Sequence, residues 1–359
     1  MEHTMPMRRT QPARQRIGGM TLIQLMVALA IGAFLMVGAV TVFMQGRTTF
    51  RVNESLARMQ ENARFALDTL EPDIRMAHYW GLTTRTANIL GRASWAADEE
   101  EAEEGGEVEA VEVVEGEVEE VVEDVGMGPT TCGNNWTVDL DRAIDGANNG
   151  YAWAACGATG GAQAGADSFV VRRASEDRVD VPVANTMYIQ SARYEDSQLF
   201  IGAAIPAGYL PPPASQTHRL IVNGYYISGA STNDDVGNPI PSLRRKTLIT
   251  GPAIEDQELL SGVEDMQVQF GVDTDAAGSA ERGSVDQYVN PGDPILDTAE
   301  ILAVRIWLRV RAERRENGFT DTTNYVYADQ DFTPVGDDAQ FRRIVVSKTI
   351  YIRNARPAL

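Results

Sequence analysis

Between Met20 and Met44 the chain runs for twenty-five residues, MTLIQLMVALAIGAFLMVGAVTVFM, without a charge. Only Thr21, Gln24 and Thr41 carry polar side chains there. A single helix crosses ~30 Å of hydrocarbon with ~20 residues at ~1.5 Å each, so this run is long enough to span a bilayer. In lipid the backbone has to satisfy its own hydrogen bonds, which makes helix the form for an isolated span. Arg8, Arg9, Arg14 and Arg16 precede the run. By the positive-inside rule they hold the N-terminus in the cytoplasm and send the remaining chain outward. A cleaved secretory signal would be shorter and would end at small residues. Ala28-Leu29-Ala30 offers such a site, with too little of the run before it and too much after. A plain anchor fits the length. It does not account for the boundary between charge and apolar residues falling on Gly18-Gly19, ahead of Met20-Thr21-Leu22-Ile23.

At 359 residues the chain has room for the anchor and one large or two small globular units. Its net charge of −20 is unevenly placed: fifteen acids and no base lie between Asp98 and Asp124, which leaves −5 for everything else. Residues 98–125, DEEEAEEGGEVEAVEVVEGEVEEVVEDV, alternate acid and valine in places. Like-charge repulsion argues for a solvated, disordered insertion rather than a packed strand. A nucleic-acid role is not expected, because phosphate binding needs a basic patch. The two cysteines, Cys132 and Cys156, lie on the outward side, where an even count reads as one disulfide. It closes a loop of 24 residues.

The helix is expected to continue past the membrane. Leu56, Met59, Ala63, Ala66, Leu67, Leu70, Ile74 and Ala77 recur at threes and fours, with Arg58, Glu61, Asn62, Arg64 and Asp68 between them. That is an amphipathic helix whose stripe needs a sheet to cover. Pro72 is expected to interrupt or kink it, and His78-Tyr79-Trp80-Gly81 reads as the exit. After the cysteine loop the pattern turns to strands. Ser168–Arg173, Leu199–Ile201, His218–Val222 through Ile227, Val263–Val272, Ile301–Val310 and Phe341–Arg353 are rich in β-branched or aromatic residues. Clusters such as Pro211-Pro212-Pro213 and Asn233-Asp234-Asp235 separate them. In Ile301–Val310, Leu302, Val304, Ile306, Leu308 and Val310 share one face, and Arg305, Arg309 and Arg311 the other. A spine helix followed by antiparallel strands is an α+β architecture.

Catalytic machinery is not expected. There is no Gly-rich loop with lysine, no paired histidines at helical spacing and no Gly-x-Ser-x-Gly elbow. Neither a cofactor nor a metal site is expected. His78 has no second histidine or carboxylate in sequence reach, and no histidine lies near either cysteine. Asp273-Thr274-Asp275 followed by Ala276-Ala277-Gly278 begins like a calcium loop, but Ser279, Ala280, Glu281 and Arg282 supply too few oxygens, so it reads as a hairpin turn.

RIGGMTLIQLMVALAIG resembles the class III signal of type IV prepilins. The resemblance implies a motif made of Gly18, Gly19, Thr21, Leu22, Ile23 and Gln24. It implies cleavage by a prepilin peptidase between Gly19 and Met20, and methylation of the new Met20 amine. The family usually has glutamate at the fifth mature position, where a carboxylate meets a neighbouring subunit's amine. Here that position is Gln24, which hydrogen-bonds but cannot neutralise an ammonium. Two readings follow: a place at or near the filament tip, where no earlier amine needs a partner, or a single weak contact that is missing and is compensated by docking elsewhere.

Three further stretches, ESLARMQENARFALDTLEPDIRMAHYWG, GVEDMQVQFGVDTD and RRIVVSKTIYIRNAR, resemble the PilW family of minor pilins, itself similar to GspJ-type minor pseudopilins. The resemblance implies a type IV pilin fold with a leader over 1–19, a transmembrane or filament-core helix over 20–45, and its amphipathic half over 46–80. A β-rich domain exposed outside the cytoplasm fills 81–359. It also implies a non-enzymatic filament subunit that helps start pilus assembly. Other minor pilins, the major pilin, a large tip adhesin and the inner-membrane assembly platform are the implied partners. The chain would wait in the inner membrane and pass to the cell surface. Two alternatives stay open at this level: a minor pseudopilin of a type II secretion system, and a signal-anchored periplasmic binding domain. Adhesion, motility and DNA uptake are not distinguished.

Overall fold

The computed structural model describes residues 19, 21–83, 85–92, 132, 136–232, 239–276, 278–279 and 281–355. The leader up to Gly18, Met20 and the acidic insertion 98–125 lie outside the described residues.

One helix, α1, spans Leu22–Arg75. By its internal contacts the chain divides at Ser55/Leu56. In the first unit every residue from Thr21 to Arg51 is exposed. In the second, Met59, Ala63, Ala66, Leu67, Leu70 and Ile74 form the buried stripe that their spacing predicts. The helix runs through Pro72 rather than breaking there, because Pro72 sits in the last turn. It ends at Arg75, short of residue 80, and the chain reverses through His78 at φ +63° and Gly81 at φ +82°. A Cβ at Gly81 would come within 2.8 Å of His218 Cδ2 and 3.0 Å of Ser191 Cβ. Both conformation and space therefore require glycine at this turn.

The strands are β1 (Ile89–Leu90), β2 (Ile144–Ala147), β3 (Ser168–Arg178), β4 (Met187–Ala192), β5 (Ser197–Ile201), β6 (Ser215–Ser228) and β7 (Ser242–Ile249). They continue with β8 (Ala253–Ser261), β9 (Val263–Asp273), β10 (Gln287–Val289), β11 (Glu300–Arg311), β12 (Tyr325–Tyr327), β13 (Gln330–Phe332) and β14 (Arg343–Tyr351). An eight-stranded sheet has the order β1-β5-β4-β6-β3-β2, with β7 also on β6 and β8 on β7. A four-stranded sheet has the order β10-β9-β11-β14, and β12 pairs with β13. All pairings are antiparallel except β1 with β5. In β6, Ser215–Arg219 pairs with β4 and Asn223–Ser228 with β7, while β3 lies along the other side.

Period-two alternation in β3 and β6 splits the core in two. Phe169, Val171, Tyr225 and Ile227 join the α1 stripe and the inner face of the four-stranded sheet, where Val268, Phe270, Val304, Ile306 and Leu308 sit. Val170, Ala174, Leu220, Val222 and Tyr226 face the opposite way, onto Trp80, Ile89, Leu140, Trp153 and Cys156. Cys132 and Cys156 are disulfide-bonded, with Cα atoms 4.3 Å apart. This ties down the strap that carries Trp136 and Trp153 over the second core.

Candidate functional site

The candidate site is the exposed first half of α1, and its geometry starts at Thr21. Gln24 N donates to Thr21 Oγ1 at 3.3 Å, and Thr21 N donates to Gln24 Oε1 at 3.1 Å. This reciprocal pair is a capping box: it satisfies two amides that a helix start leaves open and contributes ~1 kcal/mol. The side chain that departs from the usual glutamate is thus used within its own helix. Leu22 and Ile23 follow at 74% and 73% exposure, and large apolar side chains up to Phe50 are exposed on every side of the rod. Thr41, Thr48 and Thr49 return their hydroxyls to carbonyls four residues earlier, so even the polar positions bond inside the helix. From Thr21 to Met44 a surface this apolar, with the Thr21, Gln24 and Thr41 side chains bonded inside the helix, is suited to lipid or to other apolar helices rather than to water. Gly19 is exposed; Gly18 and Met20 lie outside the described residues.

The second half of α1 ends in a polar lock. Asp73 is 6% exposed. Its Oδ1 accepts from Arg173 Nε at 3.1 Å and Nη2 at 2.9 Å. Its Oδ2 accepts from Asn223 Nδ2 and from the Tyr225 hydroxyl, each at 2.5 Å. Burial together with the Asp73 charge pushes the Tyr225 hydroxyl well above its ordinary range, so it remains a donor. A helix-terminal acid thereby grips β3 and β6. Sequence reading passed over Asp73, yet it falls at the spacing of the stripe, three after Leu70 and four before Ala77. An acid inside an apolar stripe was the available signal.

A second buried set lies on the outer face of the four-stranded sheet. Glu264 takes Arg343 Nε at 2.8 Å and Arg309 Nε at 3.1 Å, and Arg343 Nη2 also meets Asp338 at 2.7 Å. The two guanidinium groups hold the Glu264 carboxyl below its usual value against the opposing effect of burial, the largest single influence. Where the sheets meet, Asp167 accepts from Asn149 N and Val268 N, both at 2.7 Å. Its carboxyl is pushed up to about 7, chiefly by burial, with the Asp329 and Asp265 charges adding to it.

Among the described residues, His78 and His218 do not form a site together with carboxylates. His78 is held down to about 4 by burial. His218 is also lowered by burial; its Nδ1 lies 2.9 Å from Ser175 O and its ring meets Tyr79 edge-on. Asp273, Asp275 and Asp286 bring carboxylate oxygens within 4.8 Å of one another. Asp273 accepts from Asp275 N at 2.9 Å and Gly283 N at 2.6 Å, and Asp286 from Thr274 N at 2.7 Å. These bonds are what closing the β9–β10 connection requires.

A rod half made for an apolar medium, continuing into a helix built into two antiparallel sheets, defines the class: an α+β protein with an N-terminal apolar helix. A family model described as Type IV Pilus-assembly protein W matches residues 224–354, from the second half of β6 to just past β14. The match supports placing the chain in the PilW family. No curated protein and no solved structure matches it.

Proposed function

We propose that this chain is a minor pilin of a type IV pilus, a subunit of the complex that starts assembly and presents a tip adhesin. One observation carries the reading: the first half of α1 is apolar and exposed on every side, and the chain carrying it matches a pilus-assembly family over β6 to β14. In the proposed sequence of events, the leader ending at Gly19 parks the chain in the inner membrane with its N-terminus in the cytoplasm. Prepilin peptidase, guided by Gly18, Gly19 and Thr21–Gln24, cuts before Met20 and methylates its amine. The helix over 20–45 then leaves lipid for a bundle of pilin helices through the assembly platform. The β-rich domain meets other minor pilins and the adhesin.

The test is mass spectrometry of the mature N-terminus, with immunodetection in sheared surface fibres. A methylated Met20 and presence in fibres or their basal initiation complex is the expected result. An intact Met1 with absence from both would make the helix a permanent anchor and end the proposal. Placement near the tip is tested by Gln24→Glu. Glutamate serves the capping box as well as glutamine does, so a change in incorporation reads the added charge and not a damaged helix. Unchanged incorporation and position would remove the tip placement.

A further inference from the structure

β14 (Arg343–Tyr351) ends the four-stranded sheet: β11 occupies one of its sides and no described strand the other. A strand with one open side presents unpaired backbone donors and acceptors, a template for another extended segment. Its side chains alternate. Ile344, Val346 and Ile350 turn toward the α1 core, while Ser347, Thr349 and Tyr351 are exposed on the other face.

Two features beside the open edge match an incoming strand. On the inner side, α1 and β14 leave a groove of about 360 Å³, apolar at Ala63, Leu67 and Val346 and polar at Gln60, Arg64, Asp68 and Lys348. On the outer side, Arg305 stacks on the Tyr288 ring at 3.6 Å and lies 5.8 Å from the Trp307 ring. The stacking depends on Gly271, where a Cβ would come within 2.9 Å of Tyr288 Cε1. Arg305 Nε donates to Thr349 Oγ1 at 3.3 Å, and no carboxylate pairs with the guanidinium among the described residues. Arg, Tyr and Trp on one face are the residue types that anchor interfaces.

Charge decides the kind of occupant. Arg64, Lys348 and Arg75 share Asp68 and Glu71 along this edge, Arg353 joins them at its end through a backbone bond to Arg75 O, and Arg305 lies across β14. The edge is basic in a chain whose net charge is −20. Two copies pairing through β14 would bring Lys348 of each toward the other's, and like charges across strands destabilise. We infer that β14 receives an extended acidic segment of another protein. That segment's apolar residues enter the groove at alternate positions, and its carboxylates meet Arg305 on the other face. The inference is independent of the pilus reading.

The test uses the full chain in detergent micelles with two synthetic peptides, one alternating valine and glutamate, the other valine and lysine. Saturable binding of the glutamate peptide, with slowed amide exchange over Arg343–Tyr351, is expected. The lysine peptide should bind about tenfold more weakly, and Arg305→Glu should reverse the preference. If Arg305→Glu fails to fold, the two peptides on the unaltered chain still decide. Absence of saturable binding, equal binding of both peptides, or protection that spares β14 would overturn the inference. Concentration-dependent protection of β14 without peptide would assign the edge to a second copy instead, and would overturn it equally.

Discussion

The two halves of α1 share one secondary structure and have opposite requirements of their surroundings. Thr21 to Arg51 is exposed throughout and free of buried side chains, whereas Leu56 to Arg75 buries its stripe and places Asp73 among polar partners. The difference shows that helix formation and solvent preference are separate properties of a sequence. Both halves are helical because neither contains a proline before Pro72, and Gly32, Gly38 and Gly46 are spaced singly among good helix formers. What distinguishes them is whether the chain supplies its own cover. The second half gets two sheets; the first gets nothing from this chain among the described residues, and so must be covered from outside.

The comparison can be broken most severely at Asp73. Asp73→Ala leaves the buried Arg173 with only the exposed Glu176 carboxylate at 3.9 Å, and is expected to cost about 3 kcal/mol, read as a fall in the urea midpoint of the full chain in detergent. Removing a charge in the exposed half, Arg51→Ala, should leave that midpoint within about 0.5 kcal/mol. Next in size is Leu29→Arg, which puts a charge in the middle of the apolar run. It should lower membrane insertion by about 2.5–3.5 kcal/mol in a glycosylation-mapping assay, and leave the urea midpoint alone.

A third measurement concerns the sheets that cover the second half. Asp167 has its folded carboxyl raised to about 7, above the unfolded value. The folded state therefore keeps a proton that the unfolded state gives up, and stability falls as pH rises through roughly 4 to 7. Asp167→Asn should flatten that slope when unfolding is followed across the window, whatever offset it adds. The smallest effect is expected at the other end of α1. Thr21→Val removes one acceptor of the capping box, and should cost about 1 kcal/mol of local helix stability, visible as faster amide exchange at Gln24 and unchanged exchange beyond Met59.

Much of this was legible in the sequence where burial and hydropathy coincide. The stripe from Leu56 to Ile74, the strands β9 and β11, and the pairing of Cys132 with Cys156 were all readable. Phe341–Arg353, which reads as strand, forms the single strand β14. The β7–β8 hairpin escaped because its alternation is carried by charge. Arg244 pairs with Asp256 at 2.8 Å and Glu258 at 3.0 Å, and Lys246 with Asp256 at 2.9 Å, nearly out of solvent. A period of two in ion pairs gives no apolar signal. Asp73 and Glu264 escaped for the same reason: each is buried only because partners more than forty residues away neutralise it. For the candidate site, the motif around Gln24 was legible as a departure from a pattern. Its bond to Thr21 belongs to the S/T-x-x-E/Q arrangement of a helix start.

The double pairing of β6 has a mechanical meaning. Asn223 and Tyr225, the residues that hold Asp73, lie where β6 changes neighbours from β4 to β7, with β3 behind them. Traction applied to the Leu56–Arg75 part of α1 enters the eight-stranded sheet at its middle strand and spreads at once into three ladders. With the load shared among three ladders, several hydrogen bonds must give way together before any one strand can be pulled out.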